Sequence, residues 1–158
     1  MNSIGIRVKA SCIHYCITTK EEYVLDELIV PKALSKPEQL TFIRTNFYSI
    51  FKEYDIKLAA IRLLEPYAFD KANSKDSLMF RMNIEGVLLE LFENSVILKY
   101  YLGVKASMAS YLNLKSKELE KIFEGEKNIL NIEKWGEFKK EEREAIIIAY
   151  IIRKIGGI

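Results

Sequence analysis

Cysteine is scarce in this chain: only Cys12 and Cys16 occur among 158 residues. Two cysteines exclude a disulfide-stapled scaffold. They also exclude a bridge to each other, because both fall in one predicted strand, where four residues of extended chain span roughly 13 Å. Long apolar runs are missing too. No stretch reaches about 18 uncharged apolar residues, so no membrane-spanning helix is expected. The N-terminus lacks the apolar region of a signal peptide, and a reducing cytoplasm is the expected setting. Excess charge of one sign is absent as well. A net charge of +2 excludes the strong basic bias of an obligate nucleic-acid coat, but leaves room for a local basic patch. Arginine is rare beside lysine, six against eighteen, so an arginine at a strand end asks for a reason.

What is present is an ordinary globular composition, 49% hydrophobic and 29% charged, long enough for one domain over 1–158 with a real core. Residues 3–10, with Ile4, Ile6 and Val8 alternating, predict a strand. Residues 11–19 and 22–30 predict two more, and the short links make an antiparallel meander. Ser35, Pro37 and Glu38 carry the signature of a capped helix start. Leu40, Ile43, Phe47, Ile50, Phe51 and Tyr54 follow at helical spacing. A short apolar strand is expected over 57–64, then a loop with Pro66, Asn73 and Ser74. A second long helix is expected over 77–93, with Gly86 inside it. A mid-helix glycine costs about 1 kcal/mol relative to alanine, so close packing is expected there. A fifth strand at 96–102, short helices at 107–112 and 115–123, a loop at 125–136 and a terminal helix at 139–154 complete the reading. The order β-β-β-α-β-α-β-α predicts an α/β fold with a mixed five-stranded sheet flanked by helices.

Ile4-Gly5-Ile6-Arg7-Val8, running on to Tyr15, resembles the opening hairpin of the RuvC-type Holliday-junction resolvases, which start Ile-Gly-Ile-Asp and carry a tyrosine near that position. Ala59-Ala60-Ile61-Arg62 resembles that family's fourth strand, where a catalytic glutamate follows an Ala-Ile pair. Residues 71–89, with Gly86-Val87, resemble its loop and long helix. Glu141-Glu142-Arg143-Glu144-Ala145-Ile146 resembles its last helix, where two aspartates three apart precede an alanine. The chain is also similar to a family of small ribonuclease H-like proteins with this reduced plan. The resemblance implies a ribonuclease H-like fold and, in the resolvases, two divalent ions held by four carboxylates that activate water. Here the first-strand and fourth-strand acidic positions are Arg7 and Arg62, and only Glu141 and Glu144 stay acidic. A guanidinium cannot ligate Mg²⁺ and repels it. The expectation is therefore a degenerate metal site, with no catalytic residue and no cofactor. Arg7 and Arg62 would sit side by side on neighbouring strands, with Glu141 and Glu144 as their anions. A phosphate held by the two guanidinium forks is the alternative use of the same pair.

An active metal-dependent, structure-specific nuclease would need a rearranged carboxylate set, Glu65, Asp70, Glu141 and Glu144, with Mg²⁺ as cofactor. Within that set Glu65 is three residues from Arg62, a spacing that faces it away on a strand. Asp26 falls on the third strand, and Asp76 at a helix start. Lys9, Lys71, Lys75, Arg81, Lys99 and Lys105 fall where the resolvases face DNA, with Tyr67, Phe69, Tyr100 and Tyr101 between them. His14 shares a strand face with Cys12 and Cys16, but a straight strand spaces such ligands about 7 Å apart, which favours semi-polar core residues over a zinc site. Leu78, Met82, Leu89 and Phe92 form an apolar stripe on the second long helix, which reads as core or as a dimer face. The terminal helix is apolar nearly all round and points to an oligomer or a protein partner. The expected function is a non-enzymatic nucleic-acid-binding or scaffold module. The active nuclease and a pure protein-interaction subunit are the alternatives.

Overall fold

The computed structural model describes residues 1–71 and 74–158. Strands β1 (Asn2–Val8), β2 (Cys12–Thr18) and β3 (Tyr23–Ile29) form the expected meander. Helix α1 (Lys36–Glu53) follows, then β4 (Ile56–Arg62), α2 (Ala68–Lys71), α3 (Lys75–Glu93) and β5 (Lys99–Gly103). The chain closes with α4 (Lys105–Tyr111), α5 (Ser116–Phe123), a 3-10 turn at Trp135–Glu137 and α6 (Lys140–Ile155). The sheet order is β3-β2-β1-β4-β5, antiparallel through the meander and parallel from β1 to β4 to β5. This is the mixed five-stranded α/β plan that the sequence predicted. Among the described residues no helix is long and apolar enough to cross a membrane.

Alternation in the strands builds two cores. Ile4, Ile6 and Val8 of β1 pack with Ile43, Phe47 and Phe51 of α1 and with Ile84, Leu88 and Phe92 of α3 on one face. The other face carries Cys16, Leu58 and Ala60 beneath α6, with α4 and α5 joining that core. Helix α1 starts as the capping signature predicts. The Glu38 amide donates to Ser35 Oγ at 3.4 Å, and the Ser35 amide donates to Glu38 Oε2 at 2.8 Å. Gly5 lets α6 lie directly on β1. A Cβ there would stand 2.2 Å from the Ala145 carbonyl oxygen and 2.4 Å from the Ala149 amide nitrogen.

Several expectations need correction. The strand expected over 57–64 ends at Arg62, and the one expected over 96–102 begins only at Lys99. Part of the expected 66–74 loop is the short helix α2, while Asn73 lies outside the described residues. Gly86 is not a packing glycine: it is exposed, and a Cβ there would meet nothing within 4 Å among the described residues. The stripe on α3 divides, with Leu78 and Phe92 buried and Met82 51% exposed. Helix α6 does not need another chain to cover it. Ala145 through Ala149, Ile151 and Ile152 are all buried within this chain, between the sheet and the α5 side of the second core.

The two glycines should respond in opposite directions. Gly5→Ala is expected to cost more than about 3 kcal/mol or to abolish folding, because backbone and not a flexible side chain blocks the new methyl. Gly86→Ala is expected to stabilise by about 0.5–1 kcal/mol through helix propensity alone. Urea unfolding midpoints of the two variants check both signs.

Candidate functional site

Parallel pairing of β1 and β4 sets Arg7 directly opposite Arg62 near the C-terminal ends of both strands. Both side chains point to the α6 face, where Gly5 has brought the helix close enough for Glu144 to reach them. Glu144 Oε2 lies 2.8 Å from Arg7 Nε and 3.3 Å from Arg62 Nε. One carboxylate oxygen thus serves two guanidinium groups. Neither Nε–H is aligned with it as a hydrogen bond, so the contact is Coulombic in character. The outer guanidinium nitrogens turn to backbone carbonyls instead. Arg7 Nη1 donates to the carbonyls of Arg62 at 3.0 Å and Leu63 at 3.2 Å, and Arg62 Nη1 donates to that of Leu63 at 2.5 Å. Phe123 covers the Arg62 guanidinium, 5.8 Å from ring centre to Cζ. Burial, partly offset by Glu144 and reinforced by repulsion from Arg62 and Arg81, lowers the Arg7 pKa to about 10. Arg7 remains a cation at neutral pH.

Two further glutamates enter the cluster. Glu65 Oε1 lies 2.9 Å from Arg62 Nη2 and accepts from the Lys105 amide at 2.7 Å. This corrects the expectation that Glu65 faces away: β4 has ended at Arg62, and the chain turns before residue 65, so strand alternation no longer applies. Glu85 of α3 is buried and accepts from the Leu64 amide at 2.8 Å. Burial raises its pKa, while Arg7, Arg81 and Arg62 pull against that rise. The sequence did carry a signal for it, an Arg81–Glu85 pair four apart on the apolar face of a helix. Glu141, the other expected anion, does not reach the arginines. It lies 3.5 Å from Lys9 Nζ at the start of α6. Burial would raise its pKa, but its own helix-terminal amide and Lys9 outweigh that and lower it.

The expected carboxylate set is therefore dispersed. Glu144 sits between two cations, Glu65 is engaged by Arg62, Glu141 faces Lys9, and Asp70 is exposed on α2. Asp26 accepts from the Tyr15 hydroxyl at 3.3 Å on β3, and Asp76 is exposed. This donor set does not fit a divalent ion with oxygen ligands. Glu144 and Glu65 are already engaged by guanidinium groups and Glu141 by Lys9, and two fixed positive charges occupy the centre.

The basic residues fare unequally. Arg81 is half-buried over the cluster; burial lowers its pKa against the pull of Glu85, Glu144 and Glu141, and its Nε has no hydrogen-bond partner among the described residues. Lys9 and Lys75 are partly exposed and exposed, and the Lys71 side chain lies outside the described residues. Lys99 donates to the Ile155 carbonyl at 3.0 Å, and Lys105 lies 2.7 Å from Glu120 Oε2. Beside the cluster a cavity of about 380 Å³ is lined by Leu64, Pro66, Phe69, Met82, Glu85 and Leu89. Tyr100 and Tyr101 are turned to Glu93 and Ser107, at 2.9 Å each. Arg143 has a structural role that the sequence did not announce. Its Nε donates to the Phe123 carbonyl at 2.6 Å, and its Nη1 donates to the carbonyls of Trp135 and Phe138.

On the meander side of the same sheet face, Cys12 Sγ lies 3.4 Å from His14 Nε2, and His14 Nδ1 lies 3.5 Å from Glu27 Oε2. Burial raises the Cys12 pKa and lowers that of His14, so both are neutral at pH 7. Cys16 is buried in the core, apart from this group.

Glu144→Gln leaves two buried guanidinium groups without their common anion and is expected to cost about 3–5 kcal/mol. Glu141→Gln, with a partly exposed partner, is expected to cost less than about 1 kcal/mol. Equilibrium denaturation separates the two. Glu120 yields a pH prediction. Burial alone would raise its pKa, yet Lys105 and Lys140, each 2.7 Å away, bring it down to about 2. A carboxyl depressed in the folded chain stabilises above its unfolded pKa of about 4.3, and that contribution is lost as the pH falls toward the folded value. Glu120→Gln is therefore expected to flatten slightly the loss of thermal stability across this acid range, the effect being small because the carboxylate is partly exposed.

No family model and no curated protein sequence matches the chain. Solved structures do. Thermus thermophilus RuvC in complex with Holliday junction substrate matches with a TM-score of 0.68 at 12% identity, over 99% of this chain and 97% of that one. A second T. thermophilus RuvC structure gives 0.67 at 12% identity, with the same coverages of 99% and 97%. The yeast mitochondrial Holliday junction resolvase Ydc2 gives 0.52 at 14% identity, over 94% of this chain and 77% of that one. The chain has the RuvC-like, ribonuclease H-like fold.

Proposed function

We propose that this protein is a non-catalytic nucleic-acid-binding module built on the RuvC-like fold. The observation that carries the reading is the Arg7–Glu144–Arg62 cluster, in register on β1 and β4, at the positions where the sequence resemblance puts metal-binding acids. The guanidinium groups of Arg7 and Arg62 form the floor of the cleft and are largely neutralised from within. Contact with a phosphate backbone falls to the less committed cations at its mouth, Arg81, Lys9 and Lys75. Phe69 and Met82, in the adjoining apolar cavity, offer a surface on which an unpaired base can stack. The solved RuvC complex with a Holliday junction substrate supports branched DNA as the first ligand to try.

The active-nuclease reading would need Glu65, Asp70, Glu141 and Glu144 with Mg²⁺, and their present engagements weigh against it. A protein-interaction role, including a homodimer, draws its support from the exposed Met79 and Met82 on α3. Two free thiols suit a reducing, cytoplasmic setting.

Fluorescence anisotropy with labelled four-way junction, duplex and single-stranded DNA tests the proposal. Affinity is expected to fall by about 10³-fold or more between 50 and 200 mM salt if about six phosphates are contacted. Arg81→Ala is expected to weaken binding to all three DNAs and to lower the salt slope by about one, its melting temperature being measured alongside because Arg81 is half-buried near Glu85. Absence of binding at low salt overturns the module. Cleavage in Mg²⁺ or Mn²⁺ that disappears in Glu141→Gln or in a folded Glu144→Gln overturns its non-catalytic character.

A further inference from the structure

The row of residues that contains the arginines continues across the sheet. Pairing sets Arg62 beside Arg7, Arg7 beside His14, and His14 beside Glu27. Four strands thus contribute one line of side chains beneath the start of α6. At one end the line is cationic. At the other, a thiol, an imidazole and a carboxylate converge: Cys12, two residues before His14 on the same face of β2, and Glu27 from β3.

One donor atom from each of these three residues lies within 4.8 Å of the other two. The two short contacts, 3.4 Å from Cys12 Sγ to His14 Nε2 and 3.5 Å from Glu27 Oε2 to His14 Nδ1, engage different ring nitrogens, so one ion would take a single nitrogen with the sulfur and the carboxylate oxygen from the set that lies within 4.8 Å. With metal–ligand bonds of about 2.0–2.3 Å, tetrahedral ligands stand roughly 3.3–3.8 Å apart, so the Cys12 and Glu27 side chains would close on the ion by about an ångström. Strand spacing alone would hold Cys12 and His14 about 7 Å apart. Their side chains lean together instead, and the third donor comes from the neighbouring strand rather than from Cys16. His14 is 2% exposed, and its buried Nδ1 has no aligned hydrogen-bond partner among the described residues. Cys12 is partly buried and Glu27 is exposed, so the group opens to solvent.

We propose that Cys12, His14 and Glu27 bind one zinc-class divalent cation, with solvent completing the coordination. A thiolate and an imidazole favour borderline-soft ions over Mg²⁺. The S–H bond is exchanged for a sulfur–metal bond and the thiol proton leaves to solvent, with no change of oxidation state. Thiolate and carboxylate together balance the ion's two charges. Lys139 Nζ, 3.8 Å from Glu27 Oε2 on a side chain 62% exposed, swings out as the ion enters. The ion would clamp the edge strand β3 to β2, one strand away from the arginine cluster. The site is independent of any nucleic-acid binding.

The full chain, stripped with chelator, is titrated with Zn²⁺ against a chromophoric competitor, and separately with Co²⁺. One ion per chain is expected, unaffected by millimolar Mg²⁺. The Co²⁺ form should show a thiolate charge-transfer band, assignable to Cys12 because Cys16 is fully buried. The chain's single histidine should lose its free imidazole signals in NMR on Zn²⁺ addition. Cys12→Ser and Glu27→Gln are each expected to weaken binding at least tenfold, while Glu22→Gln, exposed at the β2–β3 turn away from the group, leaves it unchanged. Circular dichroism confirms that each variant is folded, and Glu27, on an edge strand, is the safer of the two. Failure of the unaltered protein to take up one ion overturns the proposal. So does undiminished affinity in either folded variant.

Discussion

A single carboxylate oxygen, Glu144 Oε2, holds two guanidinium groups together in a cleft that excludes most water. Buried charges of one sign need a partner of the other, and here one carboxylate serves two cations. The arrangement depends on how closely α6 lies on β1. Gly5 is two residues before Arg7, on the same face of the strand, and its missing side chain is what Ala145 and Ala149 occupy. Ala145 is the next residue after Glu144. The close approach of helix to strand and the placement of the anion over the cations are therefore one constraint.

Around this centre, charge is compensated in layers. Arg62 takes a second partner in Glu65, Glu85 enters from α3, and the outer guanidinium nitrogens bind carbonyls at the end of β4. Three arginines, Arg7, Arg62 and Arg81, face three glutamates, Glu144, Glu65 and Glu85. A cleft so balanced holds no strong net field in its depth. Attraction for a polyanion is left to the rim, where Arg81 and Lys9 are less completely engaged. The other end of the same row carries softer donors, and the sheet register, not the chain order, is what sets the two groups side by side.

Much of the fold was legible in the residues. Alternation in Ile4, Ile6 and Val8, the Ser35–Glu38 cap and the helical spacing from Leu40 to Tyr54 act within a few residues, so local pattern reports them faithfully. The pairing of Arg7 with Arg62 came from the resemblance and not from spacing, since 55 residues separate them in the chain. Glu65 was misplaced because a strand rule was applied one turn beyond the strand's end. An exposed and a packed helix glycine read alike in sequence, and only a neighbour's position, as at Gly86, tells them apart. The apolar α6 suggested a partner chain, yet the sheet and the α5 side of the core cover it within the chain.

By itself, then, the sequence determined the strand and helix order and the scarcity that made each arginine conspicuous. Those are properties of residue type and short-range pattern. Only the tertiary structure decided that Glu144 and not Glu141 answers the arginines, that Glu65 and Glu85 complete their neutralisation, and that Glu27 joins Cys12 and His14. Each of these is a matter of a few ångströms between separate elements, set by sheet register, by where a strand stops, and by how near a helix is allowed to come.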